Sequence, residues 1–129
     1  SMRNIKVDRE SDNLIVTVGK AFVASALITI PSISFTHMAI GTSTTAPALN
    51  QTALVGSELA RVATTNTNPT SVTTQFVATF GAGVGTGDIE EAGLFSAASA
   101  GSMFSRYLTG TFAKGATDTL AVTWTITVS

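Results

Sequence analysis

"LAVTWTITVS", residues 120–129, alternates without a break. Leu120, Val122, Trp124, Ile126 and Val128 hold one phase, and Ala121, Thr123, Thr125, Thr127 and Ser129 hold the other. Successive side chains of a strand point to opposite faces, so this pattern describes a strand with one buried face and one hydroxyl-clad face. It places Trp124 at the middle of a core and predicts that the rest of the chain supplies the sheet around it.

The same period recurs upstream. After Pro69, the residues Val72, Thr74, Phe76, Ala78 and Phe80 alternate with Thr73, Gln75, Val77 and Thr79. Met103 to Phe112 forms a run bounded by Gly101 and by Lys114-Gly115, and Phe35 to Ile40 is short and mostly apolar. Leu14 to Val18, Arg61 to Thr65 and Ile89 to Ser96 read as further strands. Turn residues cluster at Gly81–Gly87, Ala98–Ser102 and Lys114–Thr119. Seven or eight short strands at spacings of about ten residues are the pattern of a sandwich or barrel.

One segment breaks the β pattern. Lys20 to Leu27 is alanine-rich and places Phe22, Val23, Ala26 and Leu27 on one helical face, and Ile30-Pro31 stops it. The expected fold is therefore all-β, a jelly-roll-like β-sandwich with one short N-terminal helix. Residues 1–129 read as one domain without linker or repeat. Ser1 has the look of a cleavage scar, and residues 2–12 read as a flexible or assembly arm.

Composition narrows the function classes. There is no cysteine, hence no disulfide framework, thiolate metal site or cysteine nucleophile. The net charge of −1 argues against a nucleic-acid groove. Charged residues make up 12% of the chain, where soluble domains carry about 25%. Threonine fills the gap at about one residue in six, and its branched hydroxyl suits the solvent side of a sheet. Such a surface belongs either to a hydroxyl-clad monomer or to a subunit whose faces are covered in an assembly. Asp8, Glu10 and Asp12 interrupt any secretory signal, and Leu14–Ile30 carries Gly19, Lys20 and Ser25 and falls short of a membrane span. The expectation is a soluble protein made in the cytosol.

Candidate reactive groups are few. Gly81 to Gly87 contains no G-x-G-x-x-G, since Thr86 and Asp88 occupy the sixth positions, and no helix follows to hold a phosphate. It reads as a glycine-rich hairpin loop. Glu90 and Glu91 are neighbours on a strand and point apart, so they form no acid–base pair, and both read as solvated. Asp88 and Glu90 share a face but fall short of a calcium shell. His37 is the only histidine and reads as a structural or interface residue. Arg106-Tyr107 and Trp124 make no aromatic–basic array for single strands. No catalytic, cofactor-binding or metal-ligating residue is assigned, no cofactor is implied, and an enzyme is not expected.

The order "THMAIGTSTTAP…TALVGSELAR", "FVATFGAGVGTGDIEEAGLFSAASAGSMFSR", "FAKGATDTLAVTWTITV" resembles a widespread family of small bacteriophage virion proteins, described as tail-fibre-type or phage structural proteins. The resemblance runs from about Asn13 to the end. It is most specific at Ile40-Gly41-Thr42, Glu58-Leu59-Ala60-Arg61, Glu91-Ala92-Gly93-Leu94-Phe95, Asp118-Thr119-Leu120 and Trp124–Val128. It implies a virion-located, non-enzymatic β-sandwich that works through subunit contacts, in a tail or tail fibre, with capsid decoration as the alternative. Its implied partners are copies of itself, as a trimer, and other virion proteins. Nucleic acid and membrane are not expected, and a host-surface glycan is the remaining alternative ligand. On that footing Thr42 to Gln51 leaves the sheet as a long ordered loop, Ala53, Leu54, Val55 and Leu59 cap the core, and Arg61 re-enters the sheet. Loops this long in compact domains are usually functional.

Overall fold

A computed structural model describes residues 4–9, 14–26 and 34–128. Among them the chain runs β1 (Asn4–Arg9), β2 (Leu14–Ile15), α1 (Thr17–Ala26), β3 (His37–Gly41), β4 (Glu58–Ala63), β5 (Thr65–Thr70), β6 (Thr73–Phe80), β7 (Gly87–Phe95), β8 (Met103–Lys114) and β9 (Thr119–Thr127). Two sheets form. Sheet A has the order β1-β9-β6-β5 and sheet B the order β2-β8-β7-β3-β4. All neighbours are antiparallel except β1, which runs parallel to β9.

The pairing is nested: β1 with β9, β2 with β8 and β3 with β7. The antiparallel pairs β2–β8 and β3–β7 nest as in a long ribbon rolled over itself, the parallel β1–β9 pair departs from that pattern, and the result is an all-β, jelly-roll-like sandwich with one short helix.

The alternation in β6 and β9 builds the core as expected. Phe76, Ala78, Phe80, Leu120 and Trp124 of sheet A are buried against Met38, Ile40, Ile89, Ala92, Leu94 and Phe104 of sheet B. Phe76 pairs with Trp124 and Phe80 with Leu120 across the strands. The Tyr107 ring meets Trp124 edge-on at 6.1 Å between centroids. Val122 and Ile126 pack half-buried on this core, whereas Val128 is 66% exposed. Its position lies past the last ladder pair, Thr73 with Thr127.

A second, smaller cluster lies on the far side of sheet B. Val16, Ala39, Phe95 and Met103 are buried there under Leu54. The molecule is thus three layers deep: α1 and the loop over sheet B, then sheet B, then sheet A.

Several expected boundaries shift. The strand expected over Leu14–Val18 is only Leu14–Ile15, because the backbone turns helical at Thr17, with Lys20 N–H donating to the Val16 carbonyl. Val23, expected on the packed helical face, is 47% exposed. Leu27 and Ile30-Pro31 lie outside the described residues. Asn4–Arg9, read as part of an arm, is a strand of sheet A. Arg61–Thr65 is not one strand: β4 starts earlier, at Glu58, and the chain then crosses to sheet A as β5. Pro69 lies inside β5 rather than ahead of a strand, which an edge position tolerates. Gly81–Gly87 is not a hairpin loop, because β6 and β7 belong to different sheets and the segment arches between them. Gly85 there has φ +76°, and a Cβ would come within 2.5 Å of Ile40 Cδ1.

Candidate functional site

The loop of residues 42–57 between β3 and β4 is held from below by two charges. Glu91 on β7 and Arg106 on β8 point to the outer side of sheet B and sit diagonally, Arg106 opposite Gly93 and Glu91 opposite Leu108. Both are 0% exposed. Arg106 Nε donates to Glu91 Oε1 at 2.8 Å. The same oxygen accepts the Val55 N–H at 2.9 Å, and Oε2 accepts the N–H groups of Ser43 and Gly56, each at 2.8 Å. Arg106 Nη1 donates to the Thr45 carbonyl at 2.7 Å and to Gln51 Oε1 at 3.3 Å. Gln51 turns its Nε2 back to the Ala46 carbonyl.

Both ends and the middle of the loop are therefore tied to one ion pair. A buried carboxylate is tolerated only when its lone pairs are filled, and here four donors fill them. Burial pushes the Glu91 carboxyl upward, but the Ser43 N–H, the Arg106 guanidinium and the N–H groups of Val55 and Gly56 outweigh it and hold it below the ordinary glutamate value. Packing around the carboxylate leaves no room for side chains on the loop's backbone: a Cβ at Gly41 or at Gly56 would lie 2.8 Å from Glu91 Oε2.

A second arginine does a related task at the sheet's other end. Arg61 Nη2 meets Glu58 Oε1 at 2.7 Å, and its Nη1 donates to the carbonyls of Ala97 and Ala100 at 3.0 and 2.9 Å. Its guanidinium lies 3.8 Å over the Phe95 ring. It fastens the β7–β8 hairpin tip, where Ala100 has φ 51°.

The other candidates spread over the molecule. Glu90 sits at a register shift between Ile89 and Glu91, is half-buried, and accepts from Thr111 Oγ1 at 2.6 Å. His37 opens β3, half-buried, with Nδ1 2.8 Å from Thr36 Oγ1. Asp88 is exposed beside an open cleft of about 300 Å³ shared with Thr86, Lys114 and Asp118. Lys114 is buried and donates to the Gly81 carbonyl, and Asp118 accepts the Gly115 N–H. Among the described residues no three metal-ligating side chains gather.

One expectation is corrected. Glu91 is not a solvated charge at a strand entrance but the most enclosed acid among the described residues. Tyr107 packs into the core between the sheets, and Arg106 lies on the opposite face of β8. The loop's expected apolar cap is realised only in part. Leu54 covers the second cluster and Leu59 packs on the main core, while Ala53 and Val55 are exposed. The overlooked signal was a glutamate inside "IEEAGLF" and an arginine inside "MFSRYL": a charge embedded in an apolar strand requires a buried partner. No protein-family model matches this chain, and no curated protein or solved structure does either.

Proposed function

We propose that this chain is a non-enzymatic structural protein of a bacteriophage virion, associated with the tail or tail fibre and acting through contacts with copies of itself and with other virion proteins. Capsid decoration is the alternative placement. The observation that carries the reading is how the molecule employs its scarce charges. The Glu91 carboxylate is filled by Arg106 and the loop's own N–H groups, and Arg106 is engaged through Nε and Nη1 while its buried Nη2 has no hydrogen-bond partner among the described residues, so the pair supports an ordered surface rather than offering a carboxylate to a substrate. Glu91 and Arg61 lie in the segments that carry the resemblance, and each ties a loop or hairpin to sheet B. Trp124 and Tyr107, which a glycan reader would display as platforms, are packed against each other inside the sandwich.

The test is particle-based. Antibody against this protein is applied to density-banded particles from a host whose phage encodes it, with heads and tails separated before blotting. Signal in the tail fraction is expected, and signal in the head fraction would favour decoration. A protein abundant in the lysate but missing from both fractions would overturn the virion reading. The assembly itself is expected to be a homo-oligomer, a trimer by resemblance, read as mass by light scattering.

A further inference from the structure

Sheet B is roofed by α1 and the 42–57 loop, and the loop is held down at few points. Its ends meet: the Ser57 N–H donates to Thr42 Oγ1 at 3.1 Å, and below them Gly41 pairs with Glu58 at a register shift. Loops with closed ends pack on themselves, and this one also bonds internally, from the Thr45 N–H to Ser43 Oγ and from Gln51 Nε2 to the Ala46 carbonyl. Its grip on the sheet is one carboxylate and one guanidinium. Glu91 Oε2 takes the N–H of Ser43 at one end and of Gly56 at the other, so a single acceptor holds both ends. Leu54 is seated in a notch where a Cβ on Gly41 or on Gly93 would lie 3.0 Å from it, whereas Leu49 and Val55 are 46% and 47% exposed. α1 adds one bond, from the Thr17 N–H to the Leu49 carbonyl.

We infer that this loop is a strap with a closed and an open position, and that it opens as one unit about Gly41 and Glu58 while both sheets stay paired. Three observations carry this. Sharing of Oε2 couples the two ends, because the group that releases Ser43 is the one that holds Gly56. Next, opening gives up little beside what the sandwich holds. Bonds from the loop to the ion pair are exchanged for bonds to water, a modest net loss for each, and one leucine leaves its seat. The Arg106–Glu91 bond itself lies on the sheet and survives. Parting the sheets would instead expose Phe76, Phe80, Leu120 and Trp124 together. Finally, the closed position carries a penalty of its own. Arg106 Nη2 is buried with no hydrogen-bond partner among the described residues, and water that reaches it in the open position relieves that penalty. Opening gives access to Ala39, Phe95 and Met103, each no more than 1% exposed while the strap is closed.

Amide hydrogen exchange, read by NMR on the wild-type protein, tests the inference. The N–H groups of Ser43, Val55 and Gly56 are expected to exchange through one common opening. That opening should be at least about tenfold more populated than the one that frees the β6–β9 ladder, and less sensitive to denaturant because it exposes less surface. Three unequal opening constants would show separate fraying, and exchange in step with the ladder would show that the loop opens only with the whole domain. Either result overturns the strap. A thiol reports the same motion independently, the chain having none of its own. Ala39→Cys, beneath the loop, is expected to react with a maleimide at least about tenfold faster than Ala78→Cys, which lies between the sheets. Equal rates, once each is referred to its variant's own unfolding equilibrium, would overturn the strap as well.

Discussion

The outer side of sheet B and the outer side of sheet A are made from the same chain by opposite means. One is covered by the sixteen residues of the 42–57 loop, of which Leu54 packs on a buried apolar cluster while Leu49 and Val55 stay exposed, and the cover is fastened by a buried ion pair and three backbone N–H groups. The other carries rows of threonines along β5, β6 and β9, three strands without a charged residue. The difference teaches where single substitutions matter. A roof held at a few polar points fails when one point is removed, whereas a repeated hydroxyl surface absorbs changes one at a time.

The largest effect is expected at the fastening. Glu91→Gln leaves Arg106 buried without its counter-charge and should cost about 3–5 kcal/mol. Denaturant unfolding measures the loss, and limited digestion with a protease of broad specificity should now cut within residues 42–57. A near-wild-type midpoint with an intact loop would mean that the roof does not depend on the ion pair.

Acid should loosen the same roof without mutation. The folded Glu91 carboxyl titrates below its ordinary value of 4.5, so the unfolded chain takes up the proton first. Its contribution is therefore fully present above pH 4.5 and is lost as pH falls through the lower, folded value. The melting temperature should decline in that window, and Glu91→Gln should flatten the decline. An equal acid slope in both proteins would assign it to other carboxylates.

Gly56→Ala probes the roof's fit rather than its charge. The new Cβ would lie 2.6 Å from the Ser43 nitrogen and 2.8 Å from Glu91 Oε2, so the loop must move off the carboxylate. A loss of about 1–3 kcal/mol is expected, typical of overpacking. The smallest effect belongs to the bare side: Thr125→Val should change the stability of the dilute protein by no more than about 0.5 kcal/mol. A larger loss would show that the hydroxyls of sheet A are structurally committed after all.

The bare side was also the legible one. Alternation in β6 and β9 marks both the core and the hydroxyl face, because a half-buried strand writes its geometry directly into every second residue. β5 escaped notice for the opposite reason: TNTNPT is exposed throughout, so no apolar period exists to be read, and Pro69 argues against a strand except at an edge. The start of α1 was misplaced, at Lys20 rather than Thr17, because Thr17 and Val18 continue a β-branched run that reads as strand. The roof was least legible. Glu91 and Arg106 are fifteen residues apart, and only the register of β7 against β8 brings them together. The Trp124 assignment needed one strand, whereas the ion pair needed a tertiary fold.

The nested pairing has a kinetic consequence. β9 is the strand to which both β1 and β6 bond, yet it emerges from the ribosome after them. Until it does, β1 has no ladder and β6 has only the edge strand β5, so sheet A cannot close before β9 emerges. Joining Asn4 to Thr119 means closing a very long loop, and such non-local pairings slow folding. For that interval the apolar side of β6 is open, and the absence of charge from β5 and β6 gives the nascent chain little to keep neighbouring polysome products apart. Emergence of β9, rather than formation of any early hairpin, is thus the step that commits this domain to its fold.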